Sequence, residues 1–335
     1  MTSLPFQRPC LCSALLALTL SMPALSWGAP LKIRFAHVVA QDTPKGLAVE
    51  RFKSLVEQRG GGRMLVEVYP GSSLYGDADE MQALQVGAVE MLAPSLSKFG
   101  RVGFPEFELF DLPYLFDNLQ DVHRITEGPL GEKLLKGLER EGMVGLGYLD
   151  NGFKHMSANR PLLNTQDFSG LRMRVQTSRV IAAQMRVLGA VPVPLPFGAT
   201  RQALARAVVD GTENPLSNFW TQGMHRVQSD LTLTEHAYLG YAVVTSQRFW
   251  RSLSSDDQLL LQQAMNEALI YGNQIAEGQN NKALQALRQA GTTAVHQPSQ
   301  AQRQRLREAT RPVHQLFSDR IGSAWLDDAH EALGR

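Results

Sequence analysis

Cationic and amide side chains gather where strands hand over to helices in this sequence. "LRMRVQTS" (171–178) puts Arg172 and Arg174 on one face of a strand, with Leu171, Met173 and Val175 on the other. Arg174 stands at the end of that strand, just before a helix that begins near Ser178. Lys45 follows a strand at 31–39, Ser95 and Lys98 follow one at 88–94, and Asn214 closes one at 208–214. In open α/β sheets ligands collect beyond the carboxyl ends of the strands, where helix N-termini add N–H donors for an anion. A small carboxylate suits this set best, because arginine forms a bidentate pair with it and lysine supplies a point charge for a second carboxylate. Arg172 is expected to be surface or packing charge. Asn218, one helical turn after Asn214, joins the candidates on spacing. The aromatics Phe197, Trp220 and Tyr238 are either ligand walls or core.

The motifs of catalysis are missing. There is no G-x-S-x-G elbow and no H-E-x-x-H; "HEALG" (330–334) has Gly334 where the second histidine must stand. "GLG" (145–147) lacks the third glycine of a dinucleotide site and sits inside a strand. The 8 histidines are scattered without ligand spacing, so no metal and no cofactor is expected. His155 and His236 read as hydrogen-bonded structural residues.

The elements that must position these side chains alternate. "LKIRFAHVV" (31–39) is a strand, and "DTP" (42–44) starts a helix with Thr43 as cap and Pro44 in its first turn. "MLVEVYP" (64–70), a helix at 77–87 and "AVEMLAP" (88–94) continue a β-α-β-α-β rhythm, which argues for a mostly parallel sheet covered on both faces. After the aromatic connection 104–116, a helix over about 118–140 leads to the strand 143–149. The Asn-Gly pair and polar run at 150–162 read as a turn and a crossover into a second α/β unit. That unit holds strands at 171–175, 191–196 and 208–214 and helices at 178–188 and 199–207. From Ser255 to about Ala290 runs one helical pattern of about ten turns, capped by Ser254 or Ser255 and long enough to brace two domains.

The chain has 335 residues, 44% hydrophobic and 19% charged, an ordinary globular composition with room for two domains. Arg8 is the only charge in the first 28 residues, and "CLCSALLALTL" (10–20) is apolar but too short to span a bilayer. The expectation is a secretory signal peptide cleaved after Ser26 or Gly28. Cleavage would remove Cys10 and Cys12, leaving a mature chain without disulfides. The 33 basic residues include Arg8, so the remainder equal the 32 acidic ones. With no net charge and no basic block, nucleic acid is not expected as a partner.

Seven stretches together resemble the substrate-binding proteins of tripartite ATP-independent periplasmic (TRAP) transporters, of the DctP type that takes C4-dicarboxylates. They are "FAHVVAQDTPKG", "EVYPGSSLYGDADEMQALQVGAVEMLAPSLSKFG", "FDLPYLF", "DNGFKHMSAN", "GLRMRVQTS", "GAVPVPLPF" and "VVDGTENPLSNF". The resemblance implies a two-lobed periplasmic binding protein fold, with mixed sheets flanked by helices, hinged lobes and the long helix bridging both. Residues 29–151 with about 240–279 form one lobe and 152–239 with about 280–335 the other. Closure is a hinge motion driven by ligand contacts to both lobes. By the same resemblance Arg174 grips a carboxylate, Asn214 completes that contact and Phe197 packs on the ligand. The sialic-acid branch carries an arginine where this chain has Lys154 and a glutamate where it has Ser95, and the dicarboxylate branch matches better. Lys45, Ser95 and Lys98 are then expected at the far carboxylate, with Lys154 sharing the work. Tyr238 and Asn218 complete the expected ligand set.

The function implied is a periplasmic, monomeric, non-enzymatic receptor that captures succinate, malate or fumarate and delivers it to a TRAP membrane permease. The alternative is a periplasmic sensor presenting a carboxylate to a signalling receptor through the same pocket. Lys98→Ala is expected to weaken a dicarboxylate more than a monocarboxylate.

Overall fold

The computed structural model describes residues 1–2 and 29–335. The signal-peptide expectation and both cysteines fall on residues 3–28, outside the described residues. No helix among the described residues is long and apolar enough to cross a membrane.

The first elements are β1 (Leu31–Ala36), α1 (Pro44–Gly60), β2 (Met64–Tyr69), α2 (Glu80–Val86) and β3 (Met91–Leu92). Thr43 caps α1 by accepting from the Gly46 amide, and Pro44 occupies the first turn, where a missing N–H costs nothing. β3 keeps two of the seven residues expected at 88–94; beyond it the chain turns into a 3₁₀ segment, Leu96–Arg101. The expected helix over 118–140 is two helices, α3 (Leu119–Thr126) and α4 (Pro129–Gly137), with a short 3₁₀ turn after them. Pro129 breaks it, since proline lacks the N–H of an interior turn and restricts the residue before it.

The largest departure from expectation lies at Asn151-Gly152. Instead of a turn, the chain runs through it as one 16-residue strand, β4 (Met143–Ala158). After it come β5 (Arg172–Val175), α5 (Arg179–Val187), β6 (Val191–Pro194), α6 (Thr200–Ala205), β7 (Gly211–Asn214) and α7 (Leu216–Thr221). The next strand, β8 (Asp230–Ser246), is 17 residues long and pairs antiparallel with β4 along its length. That pairing overrides the local turn preference and spends it on register shifts, one of them between Asp150 and Gly152, where Gly152 takes φ +137°.

The nine strands among the described residues form one mixed sheet in the order β2-β1-β3-β8-β4-β7-β5-β6, with β9 (Ala294–His296) on β8. Two parallel wings, β2-β1-β3 and β7-β5-β6, are joined by the antiparallel pair β4 and β8. After α8 (Gln247–Ser252) comes α9 (Ser255–Ala290), whose 36 residues match the expected brace and whose cap is Ser254, accepting from the Asp257 amide. α9 packs on α1, β4 and α7. At Gly272 the fit against α1 and β4 is so close that an added Cβ would stand 2.4 Å from Leu149 Cδ1 and 2.8 Å from Ala48 Cβ.

Three helices close the chain: α10 (Gln300–Thr310), α11 (Pro312–Ile321) and α12 (Ser323–Leu333). α10 packs on α5, but α12 packs on α3 and α4. The expected grouping of residues 280–335 with 152–239 therefore does not describe the last helix. Its Ala329 and Leu333 enter the core built around the phenylalanines of 99–116, because a helix with one apolar stripe must bury it on the nearest apolar surface.

Candidate functional site

β5 lies between β6 and β7, with Arg174 opposite Val193 on one side and Thr212 on the other. Arg172, two residues earlier, is exposed and pairs with Asp210 at 2.7 Å. Arg174 is 1% exposed. Its Nε and Nη2 both donate to the Leu195 carbonyl, at 3.0 and 2.8 Å, and its Cζ stands 5.9 Å from the centre of the Phe197 ring. Nη1 is buried without a partner. Burial pulls the Arg174 pKa down, against the opposing pull of Asp77 and Glu213. A guanidinium does not normally sit in a protein interior without a counter-ion, since its desolvation is uncompensated.

The lysines divide into two kinds. Lys98, in the 3₁₀ segment after Ser95, is ion-paired with both Asp77 and Glu80. Burial would lower its pKa, but Glu80 and Asp77 prevail and raise it. Lys154 is fully buried 2.7 Å from Glu213, with His236 3.4 Å from the same carboxylate oxygen. Burial pushes the Glu213 carboxyl up; Lys154, then His236, hold it below the usual range. Lys154 is thus a member of an internal ion pair and does not line the ligand cavity, contrary to the sequence expectation. Its charge is spent on Glu213, a residue whose distance in sequence hid the pairing.

Lys45 is the other kind. Fully buried at the start of α1, it donates to the Ala93 carbonyl at 2.9 Å and rests 3.7 Å from the centre of the Tyr241 ring. No aspartate or glutamate among the described residues pairs with it or with Arg174 within 4.0 Å. Burial lowers its pKa to about 7.

Tyr241, beside Lys45, and Phe197, beside Arg174, line a small cavity whose own lining includes neither of the two cations. Ser95, Lys98, Phe197, Asn214 and Asn218 of the expected set line it, together with Asp77, Gln176 and Tyr241, which sequence reasoning missed. Ser95 Oγ donates to Gln176 Oε1 at 2.8 Å, and the Phe197 amide donates to Asp77 Oδ2 at 2.5 Å. Gln176 was within reach of the corner rule, being two residues past Arg174. Tyr241 was not, since its place follows from a bridge to Ser95 across the sheet. Tyr238 is a correction: its hydroxyl bonds Asp150 and its ring meets Phe116 and Phe153 edge-on, in the core. Residues of odd separation on a strand face opposite sides, so β8 can offer Tyr241 or Tyr238 to the cavity, but not both. Trp220 likewise stacks on His225, its ring centre 4.2 Å away.

Asn214 closes β7, opposite His155 of β4. Its Nδ2 is directed at Thr212 Oγ1 (3.1 Å) and Met224 Sδ (3.6 Å). Asn218 Oδ1 accepts from Asn151 Nδ2 at 2.9 Å. No cluster of three histidine, cysteine or acidic side chains suited to a metal ion occurs among the described residues. The arrangement is a small cavity with apolar walls from Val38, Val39, Phe197 and Leu239 and polar groups between them, next to two buried cations that have no carboxylate partner within 4.0 Å among the described residues, an arrangement suited to a compact anion.

Comparison with known proteins agrees with that chemistry. Residues 35–320 match the family model DctP, described as bacterial extracellular solute-binding protein, family 7. The C4-dicarboxylate-binding periplasmic protein DctP of Rhodobacter capsulatus is 50% identical over 308 residues, 92% of either chain. A TRAP periplasmic solute binding protein from Shewanella oneidensis, solved with bound succinate, superposes with a TM-score of 0.89 at 41% identity, covering 91% of this chain and 100% of that one. One from Pseudomonas aeruginosa, solved with bound L-malate, gives 0.83 at 38% identity, covering 86% and 100%.

Proposed function

Because the chain belongs to family 7 of the bacterial extracellular solute-binding proteins, the DctP family, we propose that it captures a C4-dicarboxylate such as succinate or malate and delivers it to the membrane permease of a TRAP transporter. It acts outside the cytoplasm, as a monomer and without chemistry of its own. The observation that carries the reading is the pair of buried cations, Arg174 and Lys45, which have no carboxylate partner within 4.0 Å among the described residues. Arg174 takes one ligand carboxylate through Nη1, beside Phe197, and Asn214 turns its amide to the same group. The second carboxylate meets Ser95, Asn218 and Tyr241, with the Lys45 charge behind the tyrosine ring. Lys98 contributes as the centre of the Asp77–Glu80 cluster on the wall. The parallel wings serve as the two lobes, and β4, β8 and α9 are the segments that flex when ligand contacts draw them together.

A thermal-shift screen tests this, since a ligand that binds only the folded state raises Tm by mass action. Succinate, malate and fumarate are expected to raise Tm with increasing dose, and the recovered ligand to be chemically unchanged. A protein that ignores all three but responds to a hexuronate or a monocarboxylate would overturn the assignment.

A further inference from the structure

We propose that Asn151 is a positioning residue that turns the Tyr241–Asn218 wall of the cavity into hydrogen-bond donors only, and so sets the preference for a carboxylate at the second ligand position. The inference rests on the dicarboxylate reading above and goes beyond it to the group that enforces it.

Asn151 is the extra residue of a β-bulge. Asp150 pairs with Gly240 and Gly152 with Leu239, so Asn151 has no partner on β8. A bulge frees one side chain from the alternation of the strand and re-aims it. Here the Asn151 amide, fully buried, reaches the cavity wall. Its Nδ2 donates to Asn218 Oδ1 at 2.9 Å and to Tyr241 Oη at 2.8 Å, while its Oδ1 accepts from Ser217 Oγ at 2.9 Å. Both N–H groups and the carbonyl are engaged, and reversing the amide would set two carbonyl oxygens, those of Asn151 and Asn218, against each other. The anchor behind it is on α9: Asn280 Nδ2 donates to the Asn151 carbonyl at 2.6 Å, and Asn280 Oδ1 accepts from the Ser217 amide at 3.0 Å.

The consequence is fixed polarity. Tyr241 Oη receives a hydrogen bond from Asn151 and a longer one, 3.5 Å, from Asn218 Nδ2. Its own proton is given to no acceptor among the described residues, and both Tyr241 and Asn218 line the cavity. Asn218 has its carbonyl oxygen taken up by Asn151, which leaves it N–H to present. A phenol and an amide are each ambivalent in isolation; with Asn151 supplying both donors, they face the cavity with O–H and N–H. A carboxylate, which only accepts, matches that wall, and a carboxamide, which must also donate, does not.

The test is calorimetric titration of succinate and its monoamide, succinamate, into wild type, Asn151→Ala, Tyr241→Phe and the double variant. Tyr241→Phe is expected to weaken succinate roughly ten- to hundredfold, the loss of one hydrogen bond to a charged group. Asn151→Ala is expected to narrow the succinate-to-succinamate preference, and the double variant to lose little more than the worse single one, because one residue acts through the other. Equal losses for both ligands in Asn151→Ala, or multiplicative losses in the double variant, would overturn the proposal. Should Asn151→Ala fail to fold, Tyr241→Phe decides alone: an unchanged preference refutes it. Wild type that binds neither succinate nor malate would instead remove the dicarboxylate reading, and this inference with it.

Discussion

The ammonium of Lys45 rests 3.7 Å from the centre of the Tyr241 ring and donates to the Ala93 carbonyl, with no carboxylate within 4.0 Å among the described residues. Burial lowers the pKa of Lys45 to about 7; Glu80 raises it, Lys98 lowers it and Asp77 raises it, in that order of size. His37, close by and itself driven to about 3 by burial and then by Lys45, adds no positive charge near neutral pH. A dianion bound beside this group favours the charged amine and raises its pKa. The complex then holds a proton that the free protein has lost above about pH 7, so affinity falls as pH rises through that value, by up to about tenfold per unit. Titration across about pH 6 to 9, repeated in buffers of different ionisation enthalpy, should show proton uptake above pH 7 and none in Lys45→Met. A dissociation constant flat across that range would contradict the assignment.

Arg174→Ala removes the only charged grip proposed for the first carboxylate, leaving Asn214 alone on it while the ligand stays enclosed. The expected loss is at least ~3 kcal/mol, roughly a hundredfold in affinity. Arg174→Lys keeps the charge but not the two bonds to the Leu195 carbonyl, and should recover only part of it. Near-native affinity of the alanine variant by calorimetry would take Arg174 out of the site.

Lys98 and Lys45 should respond oppositely to removal. Lys98→Met strands Asp77 and Glu80, both largely buried, and should cost ~3 to 5 kcal/mol of folding stability. Lys45→Met strands no carboxylate and should leave ligand-free stability unchanged or higher, while weakening a dicarboxylate more than a monocarboxylate. Urea unfolding without ligand, set beside the two affinities, separates the roles. The selective loss expected of Lys98 from sequence thus moves to Lys45.

For Lys154 and Glu213 the expected defect is structural. Either Lys154→Met or Glu213→Gln leaves one buried charge alone and should lower stability by ~3 to 5 kcal/mol, and the double variant should recover most of it. Additive losses in denaturant unfolding would show that the two charges do not act as a pair.

Much of this was legible locally. Thr43, Pro44 and Ser254 announce their helices because capping depends on neighbours within one turn. The places of Arg174, Ser95, Lys98 and Asn214 follow from strand ends, where a parallel wing opens its ligand side, while Asn218 came from helical spacing after Asn214 and Phe197 from the family resemblance. Asn151-Gly152 misled because the pair has a real turn preference, and only the 17-residue partner strand across from it turns that preference into a bulge.

By itself the sequence determined the alternating α/β units, the bracing helix and the corner residues, all of which depend on periodicity or on contacts a few residues apart. Only the tertiary structure decided which charges are spent and which are free. Lys154 meets Glu213, Lys98 meets Asp77 and Glu80, and Arg174 and Lys45 have no carboxylate within 4.0 Å among the described residues. Tyr241 rather than Tyr238 faces the cavity for the same reason: the register of β8 against β3 and β4 is set by pairing across the sheet. A charge or a strand face is a local property, but its partner is chosen by distance in space, and residues 59 or 90 apart in sequence carry no mark of being neighbours.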